Sequence, residues 1–133
     1  MSTSQTELFP AQASLAASEL ERSNLDDDTV IIRRDILLNG DEFAHLDLEY
    51  STKDHLVSVE TVGYLDKNNA NKGFGKQLYE MVGTLPTPDN EKYTFISTGQ
   101  SIEARHLWES FVRNNKAVKL GETSFKMLDS DQQ

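Results

Sequence analysis

The stretch most able to do chemistry is Lys72-Gly73-Phe74-Gly75-Lys76, where two glycines flanked by lysines open a helical pattern. A helix start leaves its first N–H groups without partners and carries partial positive charge, so a loop that admits a phosphate there makes an anion site. Gly73 and Gly75 place no Cβ in the way. The span from Asp66 to Lys76 carries a net +2 in a chain whose total is −9. The competing reading is an ordinary helix entry through a glycine turn. Two phosphate motifs are excluded. A Walker A loop needs a hydroxyl after Gly-Lys, but Gln77 follows Lys76, and Ala70 stands where the first glycine belongs. A Rossmann fingerprint needs three glycines at the first strand-helix unit, and only two occur here, late in the chain.

The elements around this loop follow from hydrophobic period. Ala11 to Arg22 has a helix-favouring composition anchored only by Leu15 and Leu20, and Asp26, Asp27 and Asp28 end it. Three strand-like runs follow: Thr29 to Leu38, Glu42 to Tyr50 and His55 to Leu65, the first two joined by Asn39-Gly40-Asp41, which favours positive φ. In the second run Ala44, Leu46, Leu48 and Tyr50 alternate with His45, Asp47 and Glu49, so one face is buried and the other wet. After the glycines the period lengthens, and Phe74, Leu78, Met81, Val82 and Leu85 share one helical stripe that Pro86 and Pro88 stop. Lys92 to Thr98 reads as a strand, and Ser101 caps a helix through Asn114. Two short strands, 116–120 and 123–128, close the chain.

This order predicts an α+β domain with a mixed sheet: an antiparallel meander, a right-handed β-α-β crossover from His55 to Thr98, a second helix and a C-terminal strand pair. The expected divisions are a disordered start over 1–10, a short helix and acidic linker over 11–28, the main domain over 29–128 and a tail over 129–133.

At 133 residues the chain suits one domain with a real core. Its 22 acidic and 13 basic residues argue against general nucleic-acid binding, which needs clustered cations. There is no cysteine, which excludes disulfides, Cys-ligated zinc and thiol nucleophiles. His45, His55 and His106 lack metal-ligand spacing, so no metal is expected. No apolar run is long enough to cross a bilayer, and Met1 to Ala17 has no leader pattern, so the expected location is cytoplasmic.

The stretch Leu65-Asp66-Lys67-Asn68-Asn69-Ala70-Asn71-Lys72-Gly73-Phe74-Gly75-Lys76-Gln77-Leu78 resembles the acetyl-CoA-binding motif of the GNAT superfamily of N-acetyltransferases, with Ala70 where that family has Gln or Arg. A second segment, Ser101-Ile102-Glu103-Ala104-Arg105-His106-Leu107-Trp108-Glu109, resembles the family's next motif through Ala104, Leu107 and Glu109, with Ser101 in place of Asn and Trp108 in place of Tyr. The resemblance spans about Val30 to Leu128 and implies a GNAT-like fold. It also implies a function, acetyl transfer from acetyl-CoA to an amine.

On that resemblance, backbone amides from Asn71 through Lys72, Gly73, Phe74 and Gly75 to Lys76 hold the pyrophosphate. The pantetheine arm inserts between the strands ending at Leu65 and Thr98, with the thioester near Val62 to Leu65. Glu60, expected to be half-buried, is the candidate base for the ammonium proton, against the reading of a solvent-facing strand residue. Tyr64, Tyr79 or water would protonate the leaving thiolate, since an indole such as Trp108 cannot. Trp108 has two open readings, packing along the pantetheine and filling the core. The expected acceptor bears an amine, and the acidic surface suits a cationic one such as a Lys side chain, a peptide or a small amine. The alternative is a catalytically inactive GNAT-like module with an acidic surface that binds a protein, and the expected partners include a protein or a second copy of the chain in a homo-oligomer.

Overall fold

The computed structural model describes residues 15–71 and 73–129. Seven strands form one sheet: β1 (Leu15–Asp26), β2 (Thr29–Leu38), β3 (Asp41–Ser51), β4 (Leu56–Tyr64), β5 (Thr94–Thr98), β6 (Ala117–Gly121) and β7 (Ser124–Met127). A 3-10 turn (Lys67–Asn71) and helix α1 (Phe74–Val82) lie between β4 and β5, and helix α2 (Ile102–Arg113) lies between β5 and β6. The spatial order is β1-β2-β3-β4-β5-β7-β6. Every neighbouring pair is antiparallel except β4 with β5.

The expectation of a GNAT-like α+β domain is overturned by this architecture. About half of the described residues lie in strands, and the described residues contain only two α-helices. The largest single correction concerns the segment read as an opening helix. From Leu15 onward it is β1, a long edge strand paired with β2 from Leu15 opposite Leu38 to Asp26 opposite Thr29. Residues 11–14 of that expected helix lie outside the described residues. Ala, Leu and Glu favour helix locally, but two leucines give no apolar stripe for a helix to bury, whereas β2 offers a full ladder of backbone partners. The three aspartates form the hairpin turn, in which the Asp28 N–H donates to Asp26 Oδ1 at 2.8 Å.

The β2–β3 turn has φ of 53° at Asn39 and 90° at Gly40, the left-handed pair that a tight hairpin requires. Ala44, Leu46, Leu48 and Tyr50 of β3 are buried with Ile32 and Ile36 of β2. Leu78 and Val82 of α1, and Trp108 and Phe111 of α2, join them in the same core. Both helices pack on this one face, since Tyr79 of α1 meets Trp108 of α2 with ring centroids 5.9 Å apart. The opposite face carries polar pairs. Arg33 grips Asp47 through two hydrogen bonds of 2.8 and 3.0 Å, and His45 lies 3.0 Å from Asp35. No helix among the described residues covers it, and none of them is long and apolar enough to cross a membrane.

Candidate functional site

Parallel strands β4 and β5 pair at only two positions, Leu56 with Thr94 and Val57 with Phe95. Beyond them the strands part, for two reasons written in the sequence. Asp47 and Leu48 of β3 face Thr61 and Val59, so Glu60 is an extra residue in β4, and such a bulge bends and twists its strand. On its far edge β5 is drawn to β7, where Ile96, Ser97 and Thr98 pair with Lys126, Phe125 and Ser124. The result is a V-shaped gap edged by main-chain groups that no strand among the described residues pairs across. At its apex a small cavity of about 160 Å³ is lined by residues that include Glu49, Ser58 and Ile96.

The bulge also corrects the expected facing of β4. Strict alternation would put Glu60, Val62 and Tyr64 on one face. Instead Val57, Val59, Val62 and Tyr64 stand opposite Tyr50, Leu48, Leu46 and Ala44. Glu60 is exposed rather than half-buried.

The gap opens toward the glycine loop. Leu65, just past β4, is 53% exposed, and its N–H donates to the Phe43 carbonyl at 3.1 Å, so that amide is already used. Asp66 starts the 3-10 turn, its carboxylate accepting from Asn68 N–H and its carbonyl from Asn69 N–H, both at 3.0 Å. Asn71 ends this turn, and Lys72 lies outside the described residues. Gly73 has φ of 82° and caps α1 with no side-chain hydrogen bond, and the first turn of α1 holds no acid. A Cβ built on Gly73 would meet nothing within 4 Å. The other helix is finished differently. Ser101 Oγ accepts from Ala104 N–H at 3.2 Å and Glu103 sits in the first turn of α2, so that end is already satisfied.

The remaining expected site residues divide. Lys76 is exposed beside the α1 start, and Phe74 anchors that start by packing edge-on against Phe43 at 4.7 Å. Gly75 faces α2, where a built Cβ would make ordinary contact with Leu107 Cδ2 at 3.5 Å. Tyr64 is half-buried, its ring 5.5 Å from Phe43, and burial pushes its hydroxyl up, which keeps it protonated. Glu60 and Tyr64 are not brought together, since four residue steps along the strand separate them by roughly 13 Å.

Of the two readings of Trp108 the structure shows the core one: it is 0% exposed and stands among Phe95, Phe111 and Phe125, so it does not pack along a cofactor in the gap. Ser101 spends its hydroxyl on the α2 cap. Tyr79 looks toward the far end of α1. Sequence reasoning missed Glu49 and Ile96 at the apex, and it missed the bulge. The signal for the bulge was the three-residue step from Val59 to Val62, where alternation demands two.

No protein-family model matches the chain, and no curated protein sequence or solved structure matches it either.

Proposed function

We propose that the protein is an acetyl-CoA-dependent N-acetyltransferase acting on an amine. The observation that carries this reading is the V-shaped gap between β4 and β5, opening at a helix start that no side chain among the described residues caps. An extended amide-bearing chain can lie in such a gap and take main-chain hydrogen bonds as an added strand does. The open space at Gly73 and the first turn of α1, which holds no acid, suit a diphosphate, and exposed Lys76 adds positive charge. The resemblance of Leu65 to Leu78 to the GNAT cofactor motif supports the same assignment.

Acetyl-CoA, when bound, supplies the acyl group as an activated thioester. The chain's own residues have the rest to do. Glu60, on the bulge beside the gap, takes the proton from the incoming ammonium group, directly or through water. Tyr64, held neutral by burial and set apart from Glu60, reaches the leaving thiolate only through intervening water, which delivers the proton. Glu49 and Asp54, which border the apex cavity on the open face, favour a cationic acceptor.

One observation favours a second reading, a module that binds without turning over. Trp108 is enclosed in the core, so that position of α2 offers the gap no proton donor. Calorimetry with acetyl-CoA, followed by thiol release with a panel of amines, separates these. Binding with thiol release supports the enzyme, binding without release supports the silent module, and absence of binding rejects both.

A further inference from the structure

A cavity of about 790 Å³ lies at the foot of the sheet, where α1 ends and before β4 and β5 part. Small-molecule sites commonly measure about 300–1,000 Å³. Four aromatic residues line it: Tyr50 of β3, Tyr79 of α1, Tyr93 just before β5 and Phe95 within β5. The rings of Tyr50 and Tyr93 stand at 89° with centroids 5.3 Å apart, and those of Tyr79 and Phe95 at 51° and 5.6 Å. Rings set at such angles wall the space from more than one side.

The charged residues of the cavity are three acids and two lysines. Lys116 pairs with Glu80 and Lys92 with Asp129, each at 2.6 Å, so these four largely satisfy one another. Glu91 is left over: its carboxylate has no hydrogen bond or ion pair among the described residues. It is held at the rim by its own backbone, whose carbonyl accepts from Thr87 Oγ1 at 2.7 Å and whose N–H donates to Asp89 Oδ1 at 3.1 Å. Tyr93 feels the same negative field, since burial together with the Asp89 and Glu91 carboxylates pushes its hydroxyl up to about 12. Arg34 stands outside the walls, donating to the Pro86 carbonyl at 2.9 Å, with its charge acting on the Glu19 carboxylate and the Tyr50 hydroxyl.

We propose that this cavity binds a small quaternary ammonium ion, its methyl groups against the aromatic walls and its charge facing Glu91. Aromatic ring faces carry negative charge density and attract a cation that sheds its water easily. A primary ammonium brings three N–H donors that each need an acceptor. Here the Glu80 and Asp129 carboxylates already accept from lysines and the Pro86 carbonyl from Arg34, so a cation without N–H groups fits the walls better. The site is separate from the proposed acyl transfer, since the length of α1, about 13 Å, lies between it and Gly73.

The test is an amide-resolved NMR titration of the full chain with choline, its uncharged isostere 3,3-dimethylbutan-1-ol and the anion 3,3-dimethylbutanoate. No acyl donor is present, so the outcome does not depend on the transferase reading. Choline should give saturable shifts at Thr84, Leu85, Asn90 and Phe95 and bind at least about fivefold tighter than the alcohol, with no saturation by the anion. Tyr93→Leu should weaken choline about three- to tenfold while the alcohol still binds, which shows the cavity intact. Glu91→Gln changes an exposed residue and keeps the test open should Tyr93→Leu fail to fold. It should weaken choline about two- to fivefold at low salt and leave the alcohol unchanged. Equal affinity for choline and the alcohol, a choline affinity unchanged in either variant, saturation by the anion, or choline shifts that never saturate would overturn the assignment.

Discussion

Replacing Gly73 by Asp and, separately, by Asn isolates the charge that the start of α1 presents. Both substitutions put a Cβ into open space at φ of 82°, so neither clashes and both share the backbone strain of a left-handed residue, about 1 kcal/mol. They differ by one negative charge on an exposed residue beside the proposed diphosphate position. Two unit charges about 5 Å apart repel by about 3 kcal/mol at an effective dielectric constant of 20 and by about 0.8 kcal/mol in bulk water. For an exposed position the expected cost is about 1–2 kcal/mol, a loss of roughly 5- to 30-fold in acetyl-CoA affinity for Gly73→Asp relative to Gly73→Asn. Calorimetry at low and high salt reads it, and the difference should shrink as salt rises. Both variants should retain the circular dichroism of the wild type. Equal acetyl-CoA affinities for Asp and Asn would show that no diphosphate sits at this helix start, and the transferase reading would go with it.

Glu60→Gln should leave acetyl-CoA affinity within about twofold while lowering kcat by about 100-fold or more, the usual reach of a general base; an unchanged kcat would remove Glu60 from the mechanism. Ser101→Ala should cost about 1 kcal/mol of stability through loss of the α2 cap, read by urea unfolding, and should not change acetyl-CoA binding. Trp108→Ala should cost about 3–5 kcal/mol as a core cavity, and a stable Trp108→Phe variant should bind acetyl-CoA like the wild type. All four tyrosines titrate high. Burial is the first cause at Tyr50, Tyr64 and Tyr79, and burial with the nearby Asp89 carboxylate pushes Tyr93 up to about 12. Between the unfolded value of about 10 and these raised values the native chain holds more protons than the unfolded one. Stability from these groups is therefore intact below about pH 10 and falls as pH rises toward about 12. Absorbance at 295 nm should show tyrosinate appearing only as the circular dichroism is lost; a tyrosine ionising near pH 10 in the intact fold contradicts the burial argument.

Short-range chemistry made much of this molecule legible. The alternation of Ala44, Leu46, Leu48 and Tyr50 marks β3 and its buried face, because a half-buried strand must alternate. Asn39-Gly40 marks its turn through the positive φ it tolerates. The stripe from Phe74 to Val82 marks α1, and Ser101 marks the start of α2. Gly73 stands at a helix start because a backbone at φ of 82° favours it.

Other features depend on partners far along the chain. Leu15 to Asp26 has a helical composition but becomes a strand because the free edge of β2 offers backbone partners that no local propensity records. Which way Glu60 points was decided by where β3 set its register, and the width of the gap by β7 pulling β5 aside. Trp108 is core because four aromatic residues from α1, α2, β5 and β7 close around it. Local spacing dictates period and turns, since those depend on neighbouring dihedrals. Strand pairing, and the burial of Arg34 against the Pro86 carbonyl, depend on the meeting of distant segments, and so only the tertiary structure decided them.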